Sequence, residues 1–353
     1  MGLNLLLVCI PIALALDWYD ASPVAVFAVS ALAIVPLAGL MGRATEHLST
    51  YVGTTIGGLL SASLGNAPEL IISGFALKEG LVDVVKASIT GSIIGNTLFT
   101  LGLSMIIGGW GRERQRFNQT VAGMSGGLLF VAAVGLLIPA IFHFATGKER
   151  EVSMEIAVVL FVAYLLSLVF TLKTHRQLIQ KGPDEAVAEE ESHEALNEAP
   201  WSQRKAIAML VGVTIVIAVM SEILVGAIEP ASASIGLTPI FAGVIFLALV
   251  GNAAEAMNAV GFARKDKMDL SFGIAVGAST QVALFVAPVL VFAGYLMGQS
   301  MDLHFTPFEI VAIVLAISTV NNLTADGECH WMEGVMLMAV YLMLAIGFFF
   351  LPA

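Results

Sequence analysis

Gly65-Asn66-Ala67-Pro68-Glu69 and Gly251-Asn252-Ala253-Ala254-Glu255 nearly repeat each other, 186 positions apart from Gly65 to Gly251. Each sets a glutamate inside a long apolar run, beside residues that weaken a helix. A carboxylate at membrane depth is costly and marks an ion or proton pathway. Two of them, in matching positions of two half-sequences, point to a small cation held between two repeats. Glycine weakens a helix by about 1 kcal/mol relative to alanine, and proline by about 3 kcal/mol. Pro68 also lacks an N–H and so frees a carbonyl one turn back. Gly53, Gly57, Gly58 and Gly65 precede or open the first motif, and Pro239, Gly243 and Gly251 the second. Unwound backbone at membrane depth is tolerated where it lines a wet cavity. Freed carbonyls facing a carboxylate there make a cage of hard oxygens.

The cation follows from that donor set. Calcium takes six to eight oxygens in flexible geometry and favours carboxylates and carbonyls. Two glutamates neutralise a divalent ion, whereas sodium needs less formal charge. Thiolates and clustered imidazoles are absent, which argues against zinc or copper. The same two carboxylates hold protons when the cation leaves, because two bare like charges in a low dielectric are costly. If the bare, doubly charged site cannot rock across the membrane, cation and protons must exchange. The next apolar segments carry further polar groups: Ser92 and Asn96 in one, Ser279 and Gln281 in the other. Their amides and hydroxyls can offer oxygen to an ion or hold a glutamate in place. With Gly65, Asn66, Gly251 and Asn252 they complete the candidate cation and proton site around Glu69 and Glu255. Serine and asparagine in membrane helices also serve simply to stitch helices together.

The elements that must position these residues are transmembrane helices. Of 353 residues, 58% are hydrophobic and 12% charged, and the mean hydropathy is +0.90. A soluble chain of this length needs more polar surface. Eleven apolar segments are expected, near 2–17, 21–42, 52–77, 81–109, 119–144, 152–172, 204–228, 238–263, 268–297, 306–326 and 332–351, most of them long enough to cross a bilayer as helices. The fold class is therefore an all-α polytopic membrane protein. The first segment lacks the basic start of a signal peptide. Cys9 and Cys329 give no disulfide or metal spacing and are expected as small packed residues. Glu222, Glu229 and Glu309 lie near segment ends and are expected at the interface.

With the N-terminus in the cytoplasm, alternating connections carry Arg43, Arg112, Arg114, Arg116, Lys173, Arg176, Lys181, Arg204, Lys205, Arg264, Lys265 and Lys267 inside. Only Lys78, Lys86, Lys148 and Arg150 fall outside. Twelve against four follows the positive-inside rule. Aligned on the two motifs, the segment at 21–42 maps onto the one at 204–228, and the two cross in opposite directions. The chain thus divides into an extra helix at 1–20, a five-helix repeat at 21–172, a linker at 173–203 and an inverted five-helix repeat at 204–353. Inverted repeats place a shared site at the midplane and give alternating access by rocking about it.

The linker is acidic. Asp184, Glu185, Glu189, Glu190, Glu191, Glu194 and Glu198 occur in 182–200 with no lysine or arginine. It reads as a solvated connection or as a regulatory cation-binding segment. No broad basic face exists for nucleic acid. An enzyme is not indicated: His193-Glu194 is followed by Ala-Leu-Asn, so no His-Glu-x-x-His exists, and no nucleotide-binding loop occurs. A cation channel would repeat a pore loop about an axis along the membrane normal, which inverted repeats do not.

At these residues the chain resembles the calcium/proton exchanger family, within the cation/calcium exchanger superfamily. The resemblance is strongest at Gly65–Gly102, at Gly251–Val291 with Lys265-Asp266-Lys267-Met268-Asp269-Leu270, and at Asn321–Gly334. It implies eleven helices, with the first outside the repeats. It implies that Glu69 and Glu255 bind the cation and the protons, and that polar groups of the fourth and ninth segments complete the site. It also implies an acidic cytosolic segment where 184–198 lies. Cys329-His330 departs from the Ser-Asn usual in the family. Sodium/calcium exchangers are similar but carry Ser or Thr before Pro-Glu, so the resemblance favours protons over sodium as the counter-ion. No resident cofactor is expected. The partners are Ca²⁺, protons and the lipid bilayer, the short N-terminus suggests a prokaryotic cell membrane, and the oligomeric state is left open.

Overall fold

The computed structural model describes residues 3–52, 54–146, 149–175 and 201–351. Gly53 and the acidic run from Asp184 to Glu198 lie outside the described residues. After a 3₁₀ turn at Leu3–Val8, the helices are α1 (Cys9–Trp18), α2 (Pro23–Val52), α3 (Thr54–Leu64) and α4 (Ala67–Lys78). Then come α5 (Val82–Gly109), α6 (Gln119–Thr146), α7 (Glu149–Val169), α8 (Gln203–Ile235), α9 (Pro239–Gly251) and α10 (Ala253–Arg264). The chain closes with α11 (Met268–Met297), α12 (Pro307–Leu323) and α13 (Trp331–Phe350).

Among the described residues, each expected segment contains helix. Among the described residues seven helices are long and apolar enough to span a membrane, or eight if α9 and α10 are one bent span. Leu5–Trp18 and Pro307–Leu323 are apolar but shorter. The chain is a multi-pass integral membrane protein. One small departure from an all-α fold is an antiparallel pair, Gln115–Arg116 with Glu328–Cys329. A second correction concerns α2, which runs to Val52 rather than stopping near residue 42. Arg43 and Glu46 resemble a loop, but Ala44, Thr45 and His47 are buried, and His47 stacks on Trp201 with ring centroids 4.6 Å apart.

The two halves match at the offset of 186. α5 begins at Val82 and α11 at Met268, and each contains a π turn, Gly95–Thr100 and Val282–Val286. α2 and α8 pack along each other. The Tyr51 hydroxyl donates to the Trp201 carbonyl at 2.8 Å, while at the other end Pro23 and Val26 share a cavity with Gly226 and Pro230. The pair is therefore antiparallel, as inverted repeats require.

Connections gather on two opposite faces. On one, Arg114 and Arg116 pair with Glu328 at 2.9 and 3.0 Å. There Gln115 donates to the Asp266 carboxylate at 2.8 Å, and the Arg112 guanidinium to the Arg264 carbonyl at 3.0 Å. On the other face, Lys86 meets Asp302 at 2.6 Å and the His304 carbonyl at 2.8 Å, and Lys78 lies 3.9 Å from Glu222. Glu309 is not interfacial as expected: it is 2% exposed. It closes a capping box with Thr306 and accepts from Thr90 at 3.2 Å.

Candidate functional site

Both motif glutamates stand in the first turn of a half-helix. α3 stops at Leu64 and α4 starts at Ala67; α9 stops at Gly251 and α10 starts at Ala253. The α9–α10 break bends the chain by 58°. Asn66 and Asn252 occupy the N-cap positions, yet neither side chain caps its helix. These side chains thus leave the first turns of α4 and α10 uncapped, and a helix N-terminus favours negative charge there. Pro68 has no N–H for the Leu64 carbonyl.

The asparagine side chains instead reach the opposite half. Asn66 Nδ2 donates to Gln281 Oε1 at 2.5 Å. Asn252 Nδ2 donates to Ser92 Oγ at 2.9 Å and to the Ala248 carbonyl at 2.7 Å, and its Oδ1 accepts from Asn96 Nδ2 at 2.9 Å. Ser279 Oγ bonds to the carbonyls of Ile93 and Ala275, each at 3.2 Å. Positions 93 and 279 are equivalents under the repeat offset, so this contact lies at the axis relating the halves. Ser279 ties α5 to α11, and Ser92 holds Asn252.

Glu69 is 5% exposed, and neither of its carboxylate oxygens has a hydrogen-bond partner among the described residues. It lies against Gly251 of the other motif: a Cβ there would sit 3.2 Å from both Glu69 Cγ and Oε1. Glycine keeps that space open. Gly65 is needed differently, since a Cβ would press to 2.8 Å on the Ser61 carbonyl. Glu255 acts on Glu69 through space, and its Oε2 is buried without a partner, as is Asn96 Oδ1. Four oxygens are therefore left buried around the two breaks. Buried polar atoms are almost always met by protein, water or an ion, and an all-oxygen set of this kind suits a hard cation. Among the described residues no cluster of three or more His, Cys, Asp or Glu side chains forms, so the two glutamates depend on amide and carbonyl oxygens to complete a cation shell. Beside Asn252 lies a cavity of about 10 Å³ lined by Gly91, Gly95, Thr100 and Tyr341, about the space of one water.

Sequence reasoning singled out the carboxylates and amides that meet here. It missed Gln115, which is 2% exposed, because a glutamine in a basic loop carries no distinguishing signal. It also missed the buried Lys86, which the charge count placed simply among outside residues.

Comparison with known proteins identifies the family and the fold. Residues 22–173 and 205–350 match the sodium/calcium exchanger protein family. The chain is 45% identical to a Ca²⁺/H⁺ antiporter of Synechocystis sp., over 98% of this chain and 96% of that one. Its fold is similar to that of native YfkE, with a TM-score of 0.85 and 38% identity over 99% of this chain and 100% of that one. The crystal structure of the H⁺/Ca²⁺ exchanger CAX shares the fold at a TM-score of 0.72 and 15% identity, over 99% and 91% of the two chains. The chain belongs to the calcium/proton exchangers of the cation/calcium exchanger superfamily.

Proposed function

We propose that this protein exchanges Ca²⁺ for H⁺ across a membrane, with Glu69 and Glu255 binding either the cation or protons at the midplane. The observation that carries the reading is the Glu69 carboxylate, buried and unpartnered against Gly251 of the opposite motif. A charge so placed needs a counter-ion or a proton. Ca²⁺ neutralises both carboxylates; protons do the same one at a time. The bare site carries two charges and does not cross, so exchange is obligatory. The antiparallel packing of α2 on α8 supports two inverted repeats at 21–172 and 204–353, rocking about the shared site. The charge count supports a cytoplasmic N-terminus, so the Gln115 face is cytosolic, and the acidic run at 184–198 joins the repeats on that side.

Flux into proteoliposomes, with pH and Na⁺ gradients set independently, tests this. A pH gradient alone should drive Ca²⁺ uptake, and Glu69→Gln or Glu255→Gln should abolish it. Uptake that requires a Na⁺ gradient and ignores pH would make the protein a sodium/calcium exchanger. Uptake surviving both substitutions would remove the carboxylates from the mechanism.

A further inference from the structure

Two tyrosines stand where each half of the molecule reaches the other. Tyr341 of α13 packs on Phe99 of α5 with ring centroids 5.3 Å apart, and Tyr164 of α7 stacks on Phe285 of α11 at 5.0 Å. Phe99 and Phe285 are equivalents at the offset of 186, and each lies in the π turn of its helix. Tyr164 and Tyr341 are equivalents too, 177 positions apart. At that spacing Val158, Leu160 and Leu165 match Val335, Leu337 and Leu342. Burial agrees as well, since Leu160 and Tyr164 are buried in one helix and Leu337 and Tyr341 in the other. The shorter spacing reflects α6, which has 28 residues where α12 has 17.

Tyr341 shows what a tyrosine in this place reaches. It shares the wall of the cavity of about 10 Å³ with Gly95, Phe99 and Asn252. The repeat carries Gly95 to Gln281, Phe99 to Phe285 and Asn252 to Asn66. Symmetry thus sets Tyr164 beside Gln281, which precedes Phe285 by one helical turn and shares its face. Glycine at 95 leaves a space before Tyr341, whereas glutamine at 281 brings an amide to Tyr164.

That amide is engaged elsewhere. Gln281 Oε1 accepts from Asn66 Nδ2 at 2.5 Å, across the interface of the halves. Tyr164 is 3% exposed, and its hydroxyl has no hydrogen-bond partner among the described residues. The ring belongs to an aromatic cluster with Phe285 and Phe161, whose own centroids lie 6.2 Å apart. A phenylalanine at 164 would fill that cluster equally well and strand nothing. Packing therefore accounts for the ring and not for the hydroxyl, and a buried hydroxyl left unmet costs stability.

We propose that Tyr164 is a positioning residue for the exchange, the second hydrogen-bond partner of Gln281. The proposal rests on the exchange reading above. In the conformation described, Asn66 holds Gln281. In the opposite access state the helix break that carries Asn66 withdraws, and Gln281 turns to the Tyr164 hydroxyl. Gln281 is thereby held in both states, first from the N-cap of α4 and then from α7. The new bond runs from a hydroxyl donor to an amide oxygen, and neither group gains or loses a proton. Tyr164 does not bind the cation.

Ca²⁺ uptake driven by a pH gradient, in right-side-out and in inside-out membrane vesicles, reads the two access states separately. Tyr164→Phe removes a stranded hydroxyl from the state described and a hydrogen bond from the other, so it favours the first. A state made rarer binds with lower apparent affinity. The half-saturating Ca²⁺ concentration should therefore rise by about tenfold in one kind of vesicle and not in the other, and the melting temperature should hold or rise. Tyr341→Phe, opposite Gly95 rather than a glutamine, should leave the ratio between the vesicles unchanged. In a Gln281→Met background, Tyr164→Phe should no longer shift that ratio. An equal change in both vesicles, or none in either, would make Tyr164 purely structural, and a shift that persists without Gln281 would give the hydroxyl another partner; each result overturns the proposal. Failure of the exchange reading shows differently, as wild-type vesicles without proton-driven uptake.

Discussion

Asn252 joins the two halves through one side chain. It gives hydrogen bonds to Ser92 and Ala248 and takes one from Asn96. Leaving a buried partner unmet costs about 1–3 kcal/mol, so Asn252→Leu strands a donor on Asn96 and loosens the Glu255 turn. Ca²⁺ affinity, measured by calorimetry, should fall by at least about tenfold, or about 1.4 kcal/mol. An unchanged affinity would detach Asn252 from the site. The residues of the site were legible because their cost is visible in a sequence: a glutamate in an apolar run has no bland surroundings. Glu309 shows the limit of that logic. Its place near a segment end suggested the interface, but the Thr306 capping box and Thr90 satisfy its oxygens in a buried position. Gln115 was illegible, since a glutamine in a loop is ordinary until its neighbours are known.

At the scale of elements, the equivalents Gly91 and Gly277 sit in different surroundings. A Cβ on Gly91 would collide with the Val244 carbonyl and lie 2.7 Å from Ala248 Cβ, whereas one on Gly277 meets nothing within 4 Å. Gly243 completes the first contact, 2.8 Å from Ala87 Cβ by the same measure. α5 and α9 are thus in backbone contact, and the equivalent approach to α11 at Gly277 is open. If the inverted halves exchange conformations during transport, the Gly277 contact must close when the Gly91 contact opens. Gly277→Val should therefore keep the melting temperature and Ca²⁺ binding while slowing transport by about tenfold or more. Gly91→Val should instead lower the yield of folded protein, as overpacking does. Transport by Gly277→Val at the wild-type rate would refute the exchange of contacts. The helix breaks at Asn66 and Asn252 were readable from glycine and proline, which act locally. The π turns in α5 and α11, and a third at Ala242–Leu247 in α9, were not, because one extra residue in a turn leaves no mark on residue type. The run of α2 past Arg43 was hidden for a related reason: its last turns are set by packing of His47 on Trp201, a contact 154 positions away in sequence, from 47 to 201.

At the scale of the whole molecule, inversion makes equivalent residues face opposite compartments. Glu79 follows α4 and Lys265 follows α10, separated by the repeat offset, and both are exposed. Glu113 follows α5 and is also exposed. α5 has 28 residues, about 42 Å of helix at 1.5 Å per residue, enough to cross a hydrocarbon core of about 30 Å. Glu79 and Glu113 must then lie on opposite sides. Arg112 donates to the Arg264 carbonyl, so Glu113 and Lys265 share one face, which the proposed orientation makes cytosolic. Single cysteines treated with a membrane-impermeant maleimide in intact cells should show this. Glu79→Cys should react at once, and Glu113→Cys and Lys265→Cys only after permeabilisation. The native cysteines should add little background on that face, since Cys329 is 1% exposed and burial, with Glu333, Asp326 and Asp266 nearby, pushes its thiol up to about 12. At pH 8 it has almost no reactive thiolate. Labelling of Glu79→Cys and Lys265→Cys from the same side would break the inversion itself. The reverse pattern, with all three sides exchanged, would keep the inverted repeats and overturn only the cytoplasmic placement of the N-terminus.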